Sequence, residues 1–302
     1  MKKKLFFVLM LAMCGLGTLS AQNTAEVSSF EGEMTSRLHN VTRFKSQTLT
    51  KNILAKMILK SIMKKFVDNS PVNYTGTYEA VTIGKGNKIR VHSSYNNSVM
   101  ISVKDNGKLT MTIYYPYIKK GYTTVSDLEA VEKQNEAMQK GDPEKTGATI
   151  DILGHTCEVY KIMSEQVTDT LDSKSVMKVH QEFAMCDEPG LPPADKEYVK
   201  GVKGVPLKYT INTVAQISNK MVNIDYVMSI ASMMTSFNMR SVDDSEFDIP
   251  SDVKIYETAK DAKIVAKINE ENRKYMEKKG LWKEENPEES KIYDNLTEEW
   301  DY

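Results

Sequence analysis

The sequence predicts a mainly β protein with covering helices, of the α+β class, built on one curved antiparallel sheet of about nine to eleven strands. Three observations carry that reading. Apolar and polar residues alternate from Tyr74 to Tyr117, interrupted by turn residues at Lys85-Gly86-Asn87, Asn96-Asn97 and Asp105-Asn106-Gly107. A second set of strand-like segments follows Thr149. Between the opening strand and the meander, Ser46 to Phe66 shifts to a helical period and supplies a cover for the concave face.

The chain has 302 residues, enough for a substantial core, and a formal net charge of -1 with the two signs interspersed. That balance argues against a dedicated nucleic-acid binder, which carries a basic surplus. Residues 1–21 read as a secretory signal peptide. Lys2, Lys3 and Lys4 precede the apolar run Leu5 to Leu16, and Leu19-Ser20-Ala21 places cleavage after Ala21. The run is too short to span a bilayer. The mature protein is therefore expected to be periplasmic or exported and soluble, with no transmembrane segment. The alternative is an outer-membrane lipoprotein lipidated at Cys14, although Met13 and the apolar residues after Cys14 suit that processing poorly.

The mature chain opens with a strand from Phe30 to His39, its Phe30, Gly32 and Met34 on one face. In the helical segment, Ala55, Ile58, Leu59, Ile62, Met63 and Phe66 form one apolar face, and Lys56, Lys60 and Lys64 a basic stripe. Such a helix can lie on an anionic membrane. The simpler reading is a cover for the sheet, with the lysines in water.

Register in the meander follows from turn length. A two-residue turn at Asn106-Gly107 sets Val103 opposite Thr110 and mixes the two faces. A three-residue loop sets Val103 opposite Leu109, Ile101 opposite Met111 and Val99 opposite Ile113. The same count at the first turn pairs Ile83 with Ile89 and Val81 with Val91. The three-residue register makes one face continuously apolar and leaves Arg90, His92, Ser102, Thr110 and Thr112 on the other. It is the expected one.

Ser126 and Glu129 form a capping box for a helix from Asp127 to Lys140, ended by Gly141-Asp142-Pro143. Two strand-like segments, Thr149 to Met163 and Val176 to Asp187, then fold about a centre between Leu171 and Asp172. That axis sets Tyr160 against Phe183, Lys161 against Glu182 and Cys157 against Cys186. Once Cys14 is removed, Cys157 and Cys186 are the remaining cysteines, and a disulfide between them would stabilise by roughly 3 to 4 kcal/mol. Two buried free thiols are the alternative. Pro189, Pro192 and Pro193 mark an irregular connector, and a strand starts near Gly204-Val205-Pro206-Leu207. Lys220 to Val242 fits both strand and helical spacing and is read as two strands with a turn near Ala231 to Met234. A C-terminal helix occupies 257–280 and ends at Gly280; residues 281–302 form an acidic tail.

Chemistry is sparse. His39, His92, His155 and His180 sit in no His-x-x-x-His or Cys-x-x-Cys frame, so no metal site is expected from spacing. No Gly-x-Ser-x-Gly elbow or phosphate-binding loop precedes a helix. Asp243, Asp244 and Glu246 could hold a cation, but read more simply as a solvated loop. The expectation is a protein that is not an enzyme and has no cofactor.

Three segments together carry a resemblance. They are Ile152 to Tyr160, with its isoleucine, glycine, cysteine and tyrosine; Gly204-Val205-Pro206-Leu207; and Phe247-Asp248-Ile249-Pro250 with Val253-Lys254. In that order, behind a signal peptide, the chain resembles a family of exported bacterial envelope proteins known as a domain of unknown function. That family is similar to the outer-membrane lipoprotein carrier and receptor fold. The resemblance covers Phe30 to Tyr256, with Phe183 where a tryptophan is common and Ser251-Asp252 in place of a glycine. It implies an antiparallel half-barrel over 22–256 whose helix-covered concave face holds acyl chains. The expected function is binding a hydrophobic or acyl-chain ligand, or handling lipoproteins. The alternative is a protein-interaction or scaffold module of the envelope with a solid core and a protein partner. The expected ligand-binding residues are Val99, Ile101, Val103, Leu109, Met111, Ile113 and Tyr115, joined by Ile58 and Ile62 from the helix.

Overall fold

The computed structural model describes residues 30–49, 57, 76–131, 141–170, 173–188, 191, 199–219, 222–258 and 263–282. The expected signal peptide, with Cys14 and Ala21, and the acidic stretch beyond Trp282 lie outside the described residues. So does most of the Ser46 to Phe66 segment, including Ile58 and Ile62. Of the segment, Ser46 to Thr48 complete the first strand rather than begin a helix, and Met57 in its middle is helical.

The described strands form one open, predominantly antiparallel sheet. In chain order they are β1 (Gly32–Thr48), β2 (Gly76–Lys85), β3 (Lys88–Ser93), β4 (Ser98–Asp105), β5 (Lys108–Tyr115), β6 (Lys120–Asp127), β7 (Glu144–Ile152), β8 (His155–Thr170), β9 (Ser173–Cys186), β10 (Val205–Asn219), β11 (Val222–Met239) and β12 (Lys254–Glu257). Their order across the sheet is β12-β6-β5-β4-β3-β2-β1-β11-β10-β9-β8-β7. Two meanders, β2 to β6 and β7 to β11, are joined through β1, which pairs with β2 on one side and β11 on the other. The edge strand β12 pairs in parallel with β6. Among the described residues, no helix is long and apolar enough to cross a membrane.

The meander takes the register that the sequence argument set aside. Val99 faces Tyr114, Ile101 faces Thr112 and Val103 faces Thr110, around a two-residue Asn106-Gly107 turn. Both turn residues are left-handed, at φ 49° and 72°, which matches the twist of the flanking strands. The first turn is also two residues, Gly86-Asn87, so Ile83 faces Arg90 and Val81 faces His92. Arg90, His92, Thr110 and Thr112 therefore share a face with Val99, Ile101 and Val103. Leu109, Met111, Ile113 and Tyr115 occupy the opposite face.

Mixing the faces is tolerated because both are covered. Over the first lie Val242, Phe247 and Val253, from the connector that follows β11. Against the second packs α1 (Lys263–Lys278), its Ile264, Val265 and Ile268 meeting Tyr115, Tyr122, Ile113 and Tyr256. Phe30 covers Ile89 and Val91 further along that face, beside Met34. The α1 helix ends as Gly280 predicts. Gly280 is left-handed at φ 67°, and Leu281 N–H donates to Met276 O at 2.9 Å, closing the terminal carbonyls.

Two further expectations are corrected locally. Asp127 rather than Ser126 caps the turn at 128–131, its Oδ1 accepting from Ala130 N at 3.0 Å. Val222–Met239 is one continuous strand, not two with a turn at 231–234. Its full-length pairing with β1 supplies a partner for the backbone groups that a turn would have left. By contrast, the β8–β9 register is the one read from sequence: Tyr160 faces Phe183 and Lys161 faces Glu182.

Tyr115 and Tyr122 bury their phenols beneath α1, and Tyr115 Oη donates to Asn269 Oδ1 at 2.8 Å. Burial raises the pKa of both above its ordinary value of 10.0, Tyr115 well above it. In the folded state they stay protonated where the unfolded chain has begun to ionise. Their contribution is therefore complete below about pH 10 and is lost as pH rises toward the folded values. Denaturant unfolding is expected to show stability falling above about pH 10. Y115F should cost about 1 kcal/mol at neutral pH and should flatten that alkaline fall.

Candidate functional site

The residues expected to line one acyl-chain cavity do not line one cavity. Val99 and Ile101 are buried under Val242 and Phe247, with Val103 packed beside them. On the other face, Leu109 is buried and Met111 half-buried, while Ile113 and Tyr115 lie against α1. Among the described residues this core is filled by the chain's own side chains.

An opening remains on the first face. A cleft of about 350 Å³ lies between β3, β4 and β5 and the loop at 250–253. Val99, Tyr114, Pro116, Pro250 and Val253 make its apolar surfaces, and Arg90, His92, Lys119 and Asp252 its polar ones. Local structure explains each placement. Arg90 and His92 alternate along β3 and face Ile101 and Val99 across the β3–β4 ladder. His92 is steadied by a 2.9 Å hydrogen bond between Nε2 and Asn97 Oδ1, and Asn97 holds a left-handed turn position at φ 49°. The opposite wall is a turn in which Val253 N–H donates to Pro250 O at 3.0 Å. Lys254 N–H then donates to Lys119 O at 2.9 Å and starts β12.

Lys119 and Asp252 join the walls by an ion pair of 2.7 Å. Hydrogen bonding to Lys119 holds the Asp252 carboxyl below its ordinary range and raises the lysine. Both groups are exposed, so solvent screens the pair. The rim therefore brings Arg90, His92 and Lys119 against one carboxylate. Sequence reasoning missed this cleft because it placed Arg90 and His92 on the face away from Val99.

The acidic loop is used internally. Asp243 accepts from Ser245 N at 2.8 Å and caps the short 3-10 helix Asp244–Phe247. Asp244 is paired with Lys88 at 3.0 Å and Lys85 at 3.5 Å. Glu246 takes both terminal nitrogens of Arg240, at 2.8 and 2.9 Å, and Arg240 also reaches Glu33 at 3.2 Å. Arg240 and Lys88 hold the Glu246 and Asp244 carboxyls below their ordinary ranges. These carboxylates fasten the connector over the sheet, which accounts for them without a cation.

At the far edge, Cys157 and Cys186 are free thiols, not the expected disulfide. Both are buried with Ile152, Ala184, Val205 and Leu207. Each sulfur lies near a backbone carbonyl, Cys157 Sγ 3.7 Å from His155 O and Cys186 Sγ 3.8 Å from Thr156 O. Burial, then the neighbouring Cys186, pushes the Cys157 thiol up to about 12. Burial also raises the Cys186 thiol. Beside them, His155 Nδ1 meets Glu188 Oε2 at 2.8 Å, and Glu188 Oε1 accepts from Thr156 N at 3.3 Å.

No protein-family model matches the chain, and no curated protein matches it. A solved structure of PNGF-II is similar at 11% identity with a TM-score of 0.29, covering 78% of this chain and 33% of that one. The chain thus spans about a third of the length of that structure.

Because thiolates rather than thiols react with alkylating agents, the raised values and burial make a specific expectation. Reduced native protein at pH 8 should leave Cys157 and Cys186 unmodified by iodoacetamide, and denaturation should release both. Peptide mass spectrometry finding either one modified without unfolding would contradict the burial described.

Proposed function

We propose that the protein is a non-catalytic, exported binding protein of the bacterial cell envelope that takes an anionic amphiphile of the acyl-chain class. The cleft carries this reading: apolar walls of Pro116, Pro250 and Val253 stand over the buried Val99 and Tyr114, next to a rim of Arg90, His92 and the Lys119–Asp252 pair. An apolar body would displace water from these walls, at roughly 25 cal/mol per Å² buried. A carboxylate or phosphate head would meet the nitrogen donors of the rim, Arg90 through its planar fork. A volume of about 350 Å³ suits a small ligand or one segment of a chain. The leader-like sequence of residues 1–21 supports export, and the resemblance to lipoprotein-carrier proteins supports the ligand class by analogy. Handling of a lipoprotein would present the same chemistry, an acyl chain beside a polar head.

A second reading, an envelope protein-interaction module, is favoured by one observation. Val99, Ile101 and Tyr115, expected to be open to ligand, are buried under the chain's own connector and helix. The two readings separate in native mass spectrometry of protein purified from its own envelope, followed by lipid extraction. The binding reading expects a co-purifying anionic amphiphile and displacement of fluorescent fatty-acid probes. R90E should weaken probe binding by about 10-fold or more with unchanged circular dichroism. Reproducibly empty protein that excludes the probes would leave the interaction module as the surviving reading.

A further inference from the structure

We propose that His155, Cys186 and Glu188 form a binding site for a divalent metal ion of the zinc type. The three ligand atoms, one imidazole nitrogen, one sulfur and one carboxylate oxygen, all lie within 4.8 Å of one another. The hairpin brings them together. The β8–β9 ladder, which begins at Glu158 against Met185, leaves the start of β8 beside the residues that follow β9. Direct contacts join them: His155 Nδ1 lies 2.8 Å from Glu188 Oε2, Glu188 Oε1 accepts from Thr156 N at 3.3 Å, and Cys186 Sγ lies 3.8 Å from Thr156 O. Ile152 and His155 close the β7–β8 hairpin through Leu153 and Gly154, both left-handed at φ 55° and 82°, which fixes where His155 begins its strand.

The ligand chemistry selects the ion. Calcium and magnesium are held by oxygen ligands, whereas zinc accepts sulfur, imidazole nitrogen and carboxylate oxygen together. Bonds of about 2.0 to 2.3 Å make tetrahedral edges of about 3.3 to 3.7 Å, so an ion replaces the hydrogen bond between His155 Nδ1 and Glu188 Oε2, which open from 2.8 Å, while the wider separations, up to 4.8 Å, close by about an ångström. Supporting contacts already aim them. Glu188 Oε1 is held by Thr156 N, and the His155 ring lies against Phe237 with centroids 6.3 Å apart. Binding releases the Cys186 proton to solvent. Three protein ligands leave a fourth position for water. Cys157 lies beside Cys186 and is not needed as a ligand.

The test uses the full chain, reduced, stripped with chelator and titrated with Co²⁺ under anaerobic conditions. One equivalent should bind with a sulfur-to-cobalt charge-transfer band that Zn²⁺ abolishes by displacement. The band should vanish in C186S and persist in C157S. H155A and E188Q change residues at the surface and should each raise the Kd by more than about 10-fold with unchanged circular dichroism. A folded, reduced wild-type protein without the band overturns the proposal. So does a band that survives in C186S, or affinity unaltered in both H155A and E188Q.

Discussion

The long ladder between β1 and β11 is the interaction on which the rest depends. It runs from Gly32 against Met239 to Thr48 against Val222, broken by a single irregularity at Thr35/Ser36. Without it the chain would form two separate meanders, each with an unpaired edge. The seam admits no side chain at its end. A Cβ on Gly32 would stand 2.3 Å from Asn238 O, and one on Gly84 would stand 2.9 Å from Phe30 O. Phe30 fills the space these glycines leave and is itself buried.

Once the seam is closed, the chain leaving β11 must cross the first meander to reach its far edge. Residues 240–253 make that crossing, and their apolar side chains Val242, Phe247 and Val253 become the cover for one face. Arg240 and Asp244 tie the crossing to Glu33 on β1, Lys85 on β2 and Lys88 on β3. The chain then pairs with β6 and continues into α1, which covers the opposite face. Gly121 permits the β12–β6 pairing, since a Cβ there would lie 2.4 Å from Ile113 O and 2.8 Å from Ile255 Cδ1 of β12. The cleft is the part of the crossing that does not seal, where Pro250 and Val253 stand off from Arg90 and His92.

The other end of the sheet follows a related logic. Two segments singled out in the sequence, Ile152 to Tyr160 and Gly204 to Leu207, meet at Cys186. Gly204 approaches so closely that a Cβ would lie 2.2 Å from Cys186 O, and Val205 pairs with Cys186 in the ladder. This close packing buries the two thiols while leaving Glu188 and part of His155 at the surface. The corner is thus dry on one side and accessible on the other.

How much of this was legible divides along the range of the interactions involved. Alternation and turn residues determined that the chain is mainly antiparallel sheet, and the symmetric centre at Leu171/Asp172 determined the β8–β9 register. Both are local, because a hairpin's pairing depends on residues that are neighbours in sequence. That reading did not bring His155 and Glu188 together, because a search for fixed metal-ligand spacings along the chain passes over ligands that meet only at the end of a hairpin. What the tertiary structure decided was which faces are wet. The meander register was misread because an apolar face and a watered face were assumed. The choice between two- and three-residue turns reverses once a connector and a helix from beyond residue 239 cover both sides. Hydrophobic burial rewards whichever register has cover for its apolar residues. That cover comes from chain more than 130 residues away, which no local pattern at Asn106-Gly107 can encode.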